Sequence, residues 1–398
     1  MPAAYSNCRT LRKGGIVNQA TNQATNTADT IRDTRTAPVL VWDQLKRLDK
    51  AALARWRMDP VVNGRSMEER GITVPMPFGW YVMCYSDELE VGEVKPLHYF
   101  ERDLVAWRGE DGKARVLDAY CAHLGAHMGY GGKVDGNCLQ CPLHSWRWDG
   151  DGACTGIPYS KSIPPAMKKP SMTRAYETRE ANGFVWAWYH PENAPPKYDV
   201  ATFEEVGHPD WTDYEKHEWI VYGPMQTIAE NGADSAHFKY IHGVANYPNY
   251  DISFDGHQRT AKVHVDMGTP QGTVSGTIAY GVDGAGQPWT RFTGMCETLL
   301  VTGVTPIARD ATHLRFAFTQ LKADRDGPRG GLARAMIKDI CKQLDQDKVV
   351  WDRQKYVESP PLCAGDGPIN DFRNFFRQFY AGPEWEKYQG GITRSVSR

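Results

Sequence analysis

Two short spacings, Cys121-x-His123 and Cys141-x-x-His144, lie seventeen residues apart in YCAHLGAHMGYGGKVDGNCLQCPLHSW. They constrain the fold more than any hydrophobic run does. One sulfur and one nitrogen offered from each of two places can meet at a common inorganic centre only if two tight loop tips lie side by side. Such tips project from a β scaffold, and Gly125, Gly129, Gly131, Gly132 and Pro142 supply the bends. The flanking texture agrees: GWYVMCYSDEL, LHYFERDLVAWRGEDGKARVLDAYCAH and GFVWAWYH are aromatic and β-branched runs parted by Gly and Asp turns. The spacing and the runs together predict a small all-β domain over about residues 76–195.

Two thiolates and two neutral imidazoles could hold a single zinc ion. One Cys and one His per loop is instead the ligand set of a Rieske [2Fe–2S] cluster, where two histidines replace two cysteines on one iron. The glycine-rich loops favour the cluster, because their backbone N–H groups can donate to its sulfurs and raise its potential. Cys138 forms a rival C-x-x-C with Cys141 but has no histidine three residues on. For Cys138, Cys154 and His127 the expectation is packing or surface, and Trp146 and Trp148 of HSWRW are expected beneath the second loop.

A second constellation follows about 100 residues later. In AENGADSAHFKYIHG, residues 229–243, Asn231, Asp234, His237 and His242 fall on or near one expected helical stretch. His237 and His242 are five residues apart, so an ideal helix would rotate one about 140° from the other; both face one metal only if the turn loosens near Tyr240. Two histidines and one carboxylate with open positions are the ligands of non-haem Fe(II) oxygenases. The acid must come from elsewhere, and KQLDQDKVVWD offers Asp345, Asp347 and Asp352 on a late helix; Asp347 is favoured, against the ordinary alternative of a solvated surface charge. Paired with the upstream cluster pattern, the second site would spend electrons that the first supplies.

Organisation follows from composition along the chain. Residues 16–37 repeat polar residues with little to bury, so 1–38 is expected to be a disordered leader. VLVWDQLKRLDKAALARWRMDP carries helical spacing, with a helix over Asp43–Met58 in a segment 39–75. The Pro-rich 191–200 reads as a linker. Beyond it, 196–398 mixes helices with long antiparallel strands over 252–322 and a long amphipathic helix in ARAMIKDICKQLDQDKVVWDRQKYV. The fold class is therefore α+β, an N-terminal all-β domain followed by helices over a curved antiparallel sheet. A formal net charge of −2 with no basic block excludes an electrostatic footprint for nucleic acid. The sequence has no apolar run long enough to span a bilayer and no secretory core at its start, which points to the cytoplasm. Nine cysteines, an odd and mostly scattered number, fit reduced thiols.

These residues, with FGWYVMCYSDEL, GIPYSKSIP and LDQDKVVWDRQKYVESPPLCAGDGPINDFRNFFRQFY, resemble the oxygenase component of a Rieske non-haem iron oxygenase over about residues 76–380. Within that family the likeness runs to the 3-ketosteroid 9α-hydroxylase oxygenase and its steroid and sterol relatives. The resemblance implies Cys121, His123, Cys141 and His144 as cluster ligands, and His237, His242 and Asp347 as ligands of a mononuclear Fe(II). Asp234 then matches an aspartate that bridges subunits, and Asn231 a residue near the iron. It further implies a head-to-tail homotrimer, O2 as co-substrate, and a separate ferredoxin or flavin reductase fed by NAD(P)H. The implied reaction is hydroxylation of a steroid-like substrate, with sterol methyl oxidation and C-4 demethylation, or ring desaturation, as alternatives of the same chemistry. A Rieske electron carrier would not need the second metal motif, and a zinc-stabilised binding module would be colourless and free of iron.

Overall fold

The computed structural model describes residues 45–59, 66–243, 251–269, 272–363, 365–387 and 389; the side chains of 251, 265–269 and 272–274 are left aside. The expected leader lies outside these residues, as does Asp43. Among the described residues the N-terminal helix is shorter than expected: α1 runs Lys50–Met58, because the Asp49 carboxylate accepts the Ala52 N–H at 2.7 Å and caps it there.

The first lobe is built of three antiparallel sheets. In one, β1 (Gly79–Tyr85) pairs with β11 (Phe184–Tyr189), which also pairs with β10 (Thr178–Ala181). A second takes β2 (Val94–Tyr99), β3 (Arg102–Arg108), β4 (Ala114–Asp118) and β9 (Ala175–Tyr176) in that order. The third is made of β5 (Lys133–Asp135), β6 (Cys138–Gln140), β7 (Arg147–Trp148) and β8 (Cys154–Gly156). The runs GWYVMCY and FVWAWY are buried at every position. Unbroken hydrophobicity of this kind marks a sheet covered on both faces.

The cover comes from the second lobe. Its sheet of seven antiparallel strands is ordered β12 (Glu215–Val221), β18 (Ala311–Gln320), β17 (Thr298–Ala308), β16 (Gln287–Thr293), β15 (Gly272–Asp283), β14 (Gln258–Thr269) and β13 (Asp251–Asp255). Alternation along β17 divides its residues between two faces. Gly303 and Thr305 meet β1: a Cβ on Gly303 would come within 2.5 Å of Val82, and Thr305 Oγ1 donates to Val82 O at 2.8 Å. Leu300, with Trp219, Leu314 and Phe318, meets Ile337, Cys341, Leu344 and Trp351 of the long helix α5 (Gly330–Trp351). Each such side chain removed from water stabilises the packing by about 1.5–3 kcal/mol. No described helix is long and apolar enough to cross a membrane.

Two further expectations change. The single helix read in MQTIAENGADSAHFKYIHG is two short ones, α2 (Met225–Glu230) and α3 (Ala236–Tyr240). Asp234 breaks it: its Oδ1 accepts the N–H groups of Ala236 and His237, offering the backbone an alternative to the helical ladder. The stretch 191–200 is a packed strap. Trp188 Nε1 donates to Ala194 O at 2.8 Å and Trp80 Nε1 to Tyr198 O at 2.7 Å. A short helix α4 (Lys322–Arg325) precedes α5, and α6 (Ile369–Phe376) buries Phe372, Phe375 and Phe376.

Candidate metal centres

The first centre sits on two hairpin tips of the same construction. Cys121 N–H donates to Ala126 O at 2.9 Å and Gly125 N–H to Cys121 O at 2.9 Å; in the other tip Cys141 N–H donates to Trp146 O at 2.8 Å and Ser145 N–H to Cys141 O at 3.0 Å. The fifth residue of each tip has positive φ, 74° at Gly125 and 58° at Ser145. A left-handed residue is what closes so short a loop. The tips thus differ chiefly in where the histidine stands, third in one and fourth in the other.

Cys121 and Cys141 are buried, whereas His123 and His144 are half-buried with ring centroids 5.0 Å apart. His123 stacks on Trp146 at 4.2 Å, and Trp146 Nε1 donates to Tyr159 at 2.7 Å. Burial pushes the Cys121 thiol up and Cys141 adds to it, while the His123 backbone N–H pulls the other way. Trp148 is wholly buried in the same core, and its Nε1–H has no acceptor. Sulfurs inside, imidazoles toward the surface and an orphaned buried donor beneath fit a [2Fe–2S] group. Cys138 contacts Thr155 Oγ1 at 3.3 Å, Cys154 reaches Gly156 O at 3.7 Å, and His127 Nδ1 accepts the Gly129 N–H at 3.1 Å.

The second centre brings His237, His242 and Asp347 together: one ligand atom from each lies within 4.8 Å of the others. The turn after α3 widens, with Ile241 N–H bonded to His237 O at 2.7 Å and His242 N–H reaching the same oxygen at 3.4 Å. That five-residue reach swings His242 back toward His237, and their rings meet at 5.1 Å. Each imidazole has its Nδ1 beside an acceptor, Asp234 O at 2.6 Å for His237 and Gln346 Oε1 at 3.1 Å for His242. With Nδ1 protonated, the Nε2 lone pair of His237 is free, and at His242 a metal would replace the proton that Nε2 shares with Asp347. His237 Nε2 is buried without a partner, and His242 Nε2 lies 3.2 Å from Asp347 Oδ1. Asn231 Nδ2 donates to the other Asp347 oxygen at 3.2 Å.

Two imidazoles and a carboxylate held by such outer partners fit a mononuclear non-haem iron. Burial pulls His237 down; it also opposes His242, where the Asp347 hydrogen bond and charge prevail and leave it raised.

The other two acids of α5 are engaged elsewhere. Asp345 receives Arg57 at 2.7 and 2.6 Å and Trp219 Nε1 at 2.8 Å; Asp352 receives Lys348 at 2.7 Å and the Tyr222 N–H at 2.8 Å. Asp234 keeps its side chain 40% exposed, with Oδ2 3.9 Å from His237 Nδ1. Gln346 went unread in the sequence, since a glutamine on an amphipathic helix leaves no pattern.

Residues 79–170 match the Rieske [2Fe-2S] domain, and residues 187–380 match the 3-Ketosteroid 9alpha-hydroxylase C-terminal domain. A 3-ketosteroid-9-alpha-monooxygenase oxygenase component of Rhodococcus rhodochrous is 28% identical over 323 residues, 76% of this chain and 82% of the relative. The cholesterol 7-desaturase nvd of Hemicentrotus pulcherrimus is 31% identical over 367 residues, 83% of this chain and 76% of the relative. Among solved structures, dicamba monooxygenase bound to 3,6-dichlorosalicylic acid superposes with a TM-score of 0.62 at 18% identity, covering 76% of this chain and 96% of that one. At that identity the likeness is one of fold.

Proposed function

The chain belongs to the Rieske oxygenases of the 3-ketosteroid 9α-monooxygenase and cholesterol 7-desaturase group, and on that premise we propose that its substrate is a steroid-like ring system, hydroxylated with one atom of O2. The observation that carries this reading is the convergence of His237, His242 and Asp347 on a chain that also holds the Cys121, His123, Cys141 and His144 loops. When bound, the cluster supplies single electrons and the iron activates O2. The balance is one O2, two electrons and two protons, giving C–OH and water.

The residues hold and orient. Asp234 O and Gln346 Oε1 fix the imidazole tautomers, and Asn231 turns one Asp347 oxygen aside so that the other faces the histidines. Asp234 spends its Oδ1 on the N–H groups at the start of α3, and its side chain stays 40% exposed. That partial exposure supports a bridging role in a head-to-tail homotrimer, where the carboxylate would accept a cluster-histidine N–H from the neighbouring chain. Electrons come from a separate reductase fed by NAD(P)H. Asp234→Asn should keep both metals and lower turnover sharply; full turnover would rule the bridge out.

The 31% identical cholesterol desaturase favours a second outcome of the same site, removal of two hydrogens with no oxygen retained. Iron and acid-labile sulfide counts, with EPR of the dithionite-reduced protein, test the centres: about three irons and two sulfides per chain with a Rieske signal are expected. Incubation with 3-ketosteroids and sterols under 18O2 and a reductase then separates the outcomes. One 18O in the product means hydroxylation, an unlabelled diene means desaturation, and no conversion of either class overturns the steroid reading.

A further inference from the structure

Seven tryptophans of the described residues, Trp80, Trp107, Trp146, Trp186, Trp188, Trp219 and Trp289, donate their indole N–H to an oxygen of the chain. Trp148 breaks the pattern, because it is wholly buried and its Nε1–H meets no acceptor. A buried donor left unmade is destabilising, and phenylalanine would fill most of the same space without it. The place of this residue supplies a reason. Trp148 lies on β7, directly after the second ligand loop and paired with Leu139 before it, in one core with Cys121 and Cys141.

Resting on the reading of this site as a Rieske centre, we propose that the Trp148 N–H donates a hydrogen bond to a cysteine sulfur of that core, Cys121 or Cys141, once the sulfurs hold the cluster, and so raises the cluster's reduction potential. A thiolate that accepts a hydrogen bond gives less electron density to its iron, and the bond strengthens when reduction adds negative charge. Trp148 is in this sense a positioning residue, acting on electron supply through a ligand cysteine.

Spectroelectrochemical titration of the intact chain tests it. In Trp148→Phe the reduced-to-oxidised ratio at a fixed applied potential should fall about tenfold, 59 mV for a one-electron couple. Trp107→Phe, which removes another buried indole from the same core but one already bonded to Asn137 O, should stay within about twofold of wild type on the same scale. Pulsed ENDOR of the reduced wild-type protein, carrying 15N-indole tryptophan, should show a coupled 15N and an exchangeable proton that Trp148→Phe loses. Equal potentials in both variants, or no 15N coupling, overturn the role of Trp148; if Trp148→Phe fails to hold the cluster, the wild-type coupling decides alone. A Rieske EPR signal with an unmoved potential sinks this inference only, whereas no Rieske signal at all sinks the centre with it.

Discussion

His237 carries an unpartnered Nε2 that is buried, and its Nδ1–H is already committed to Asp234 O. Replacing it with alanine removes one of three converging donors and leaves the cluster loops untouched. His237→Ala should therefore lose the mononuclear iron, falling from about three irons per chain to two, with the Rieske EPR signal unchanged. Loss of both signals would mean that the centres are not independent. Gln346 is the subtler case. It is the acceptor that orients His242, and removing such an outer partner typically weakens metal binding 10–100-fold. Gln346→Leu should lower Co(II) affinity by about that factor in a titration of metal-free protein, while Gln346→Glu, which keeps an acceptor, should retain it. Equal affinity in all three would assign Gln346 to helix packing alone.

At the scale of the element, α5 is the part that must not move, because Asp347 rides on it. Two buried pairs hold it, Arg57 with Asp345 at 2.6 Å and Lys348 with Asp352 at 2.7 Å, the second with both side chains wholly buried. Lys348 Nζ also donates to Ile220 O at 2.7 Å, tying the helix to β12. Breaking such a pair from one side strands the other charge, which costs about 3–5 kcal/mol. Lys348→Met should lower the unfolding midpoint and loosen mononuclear metal binding together; an unchanged midpoint would make the pair incidental. Elements differ in how far the sequence reveals them. The buried strands, the long sheet and the helix that became α5 were readable because their hydrophobic periods are long and regular, and the paired Cys and His spacings because the two residues of each loop are close in sequence. The break between α2 and α3 was not, since Asp234 stops the helix by a local hydrogen bond that leaves the helical spacing intact. Nor were the Gln346 contact or the orphaned Trp148 N–H, whose meaning depends on what stands opposite in space.

The whole molecule depends on the seam between its lobes, and there a closed polar ring is set into apolar packing shared by both lobes. Tyr99 of β2 donates to His313 Nδ1 at 3.0 Å, His313 Nε2–H to Glu218 at 3.2 Å, and Arg315 closes the circle, 3.4 Å from Glu218 and 2.7 Å from Tyr99. Arg315 also reaches the Val82 and Met83 carbonyls of β1, so the ring pins one lobe to the other. Burial, with the Arg315 charge, pushes His313 down from 6.5 to about 4 against the pull of Glu218. Burial pushes Glu218 up, but the His313 hydrogen bond and the charges of Arg315, His313 and Lys95 outweigh it and bring it from 4.5 to about 2. Both folded pKa values lie below the unfolded ones, so the unfolded chain binds more protons as the pH falls. Stability is then intact above about pH 6.5, declines through the histidine window toward pH 4, and declines further as Glu218 titrates below about 4.5. For His313 alone the loss between pH 7.5 and 5 is roughly 2 kcal/mol. His313→Gln keeps one donor and one acceptor in the ring and removes the titration. Thermal unfolding followed by circular dichroism at the two pH values should show a smaller drop in Tm for His313→Gln than for wild type, by a few degrees. An identical drop in both proteins would place the acid sensitivity elsewhere and leave the ring a neutral rivet between the lobes.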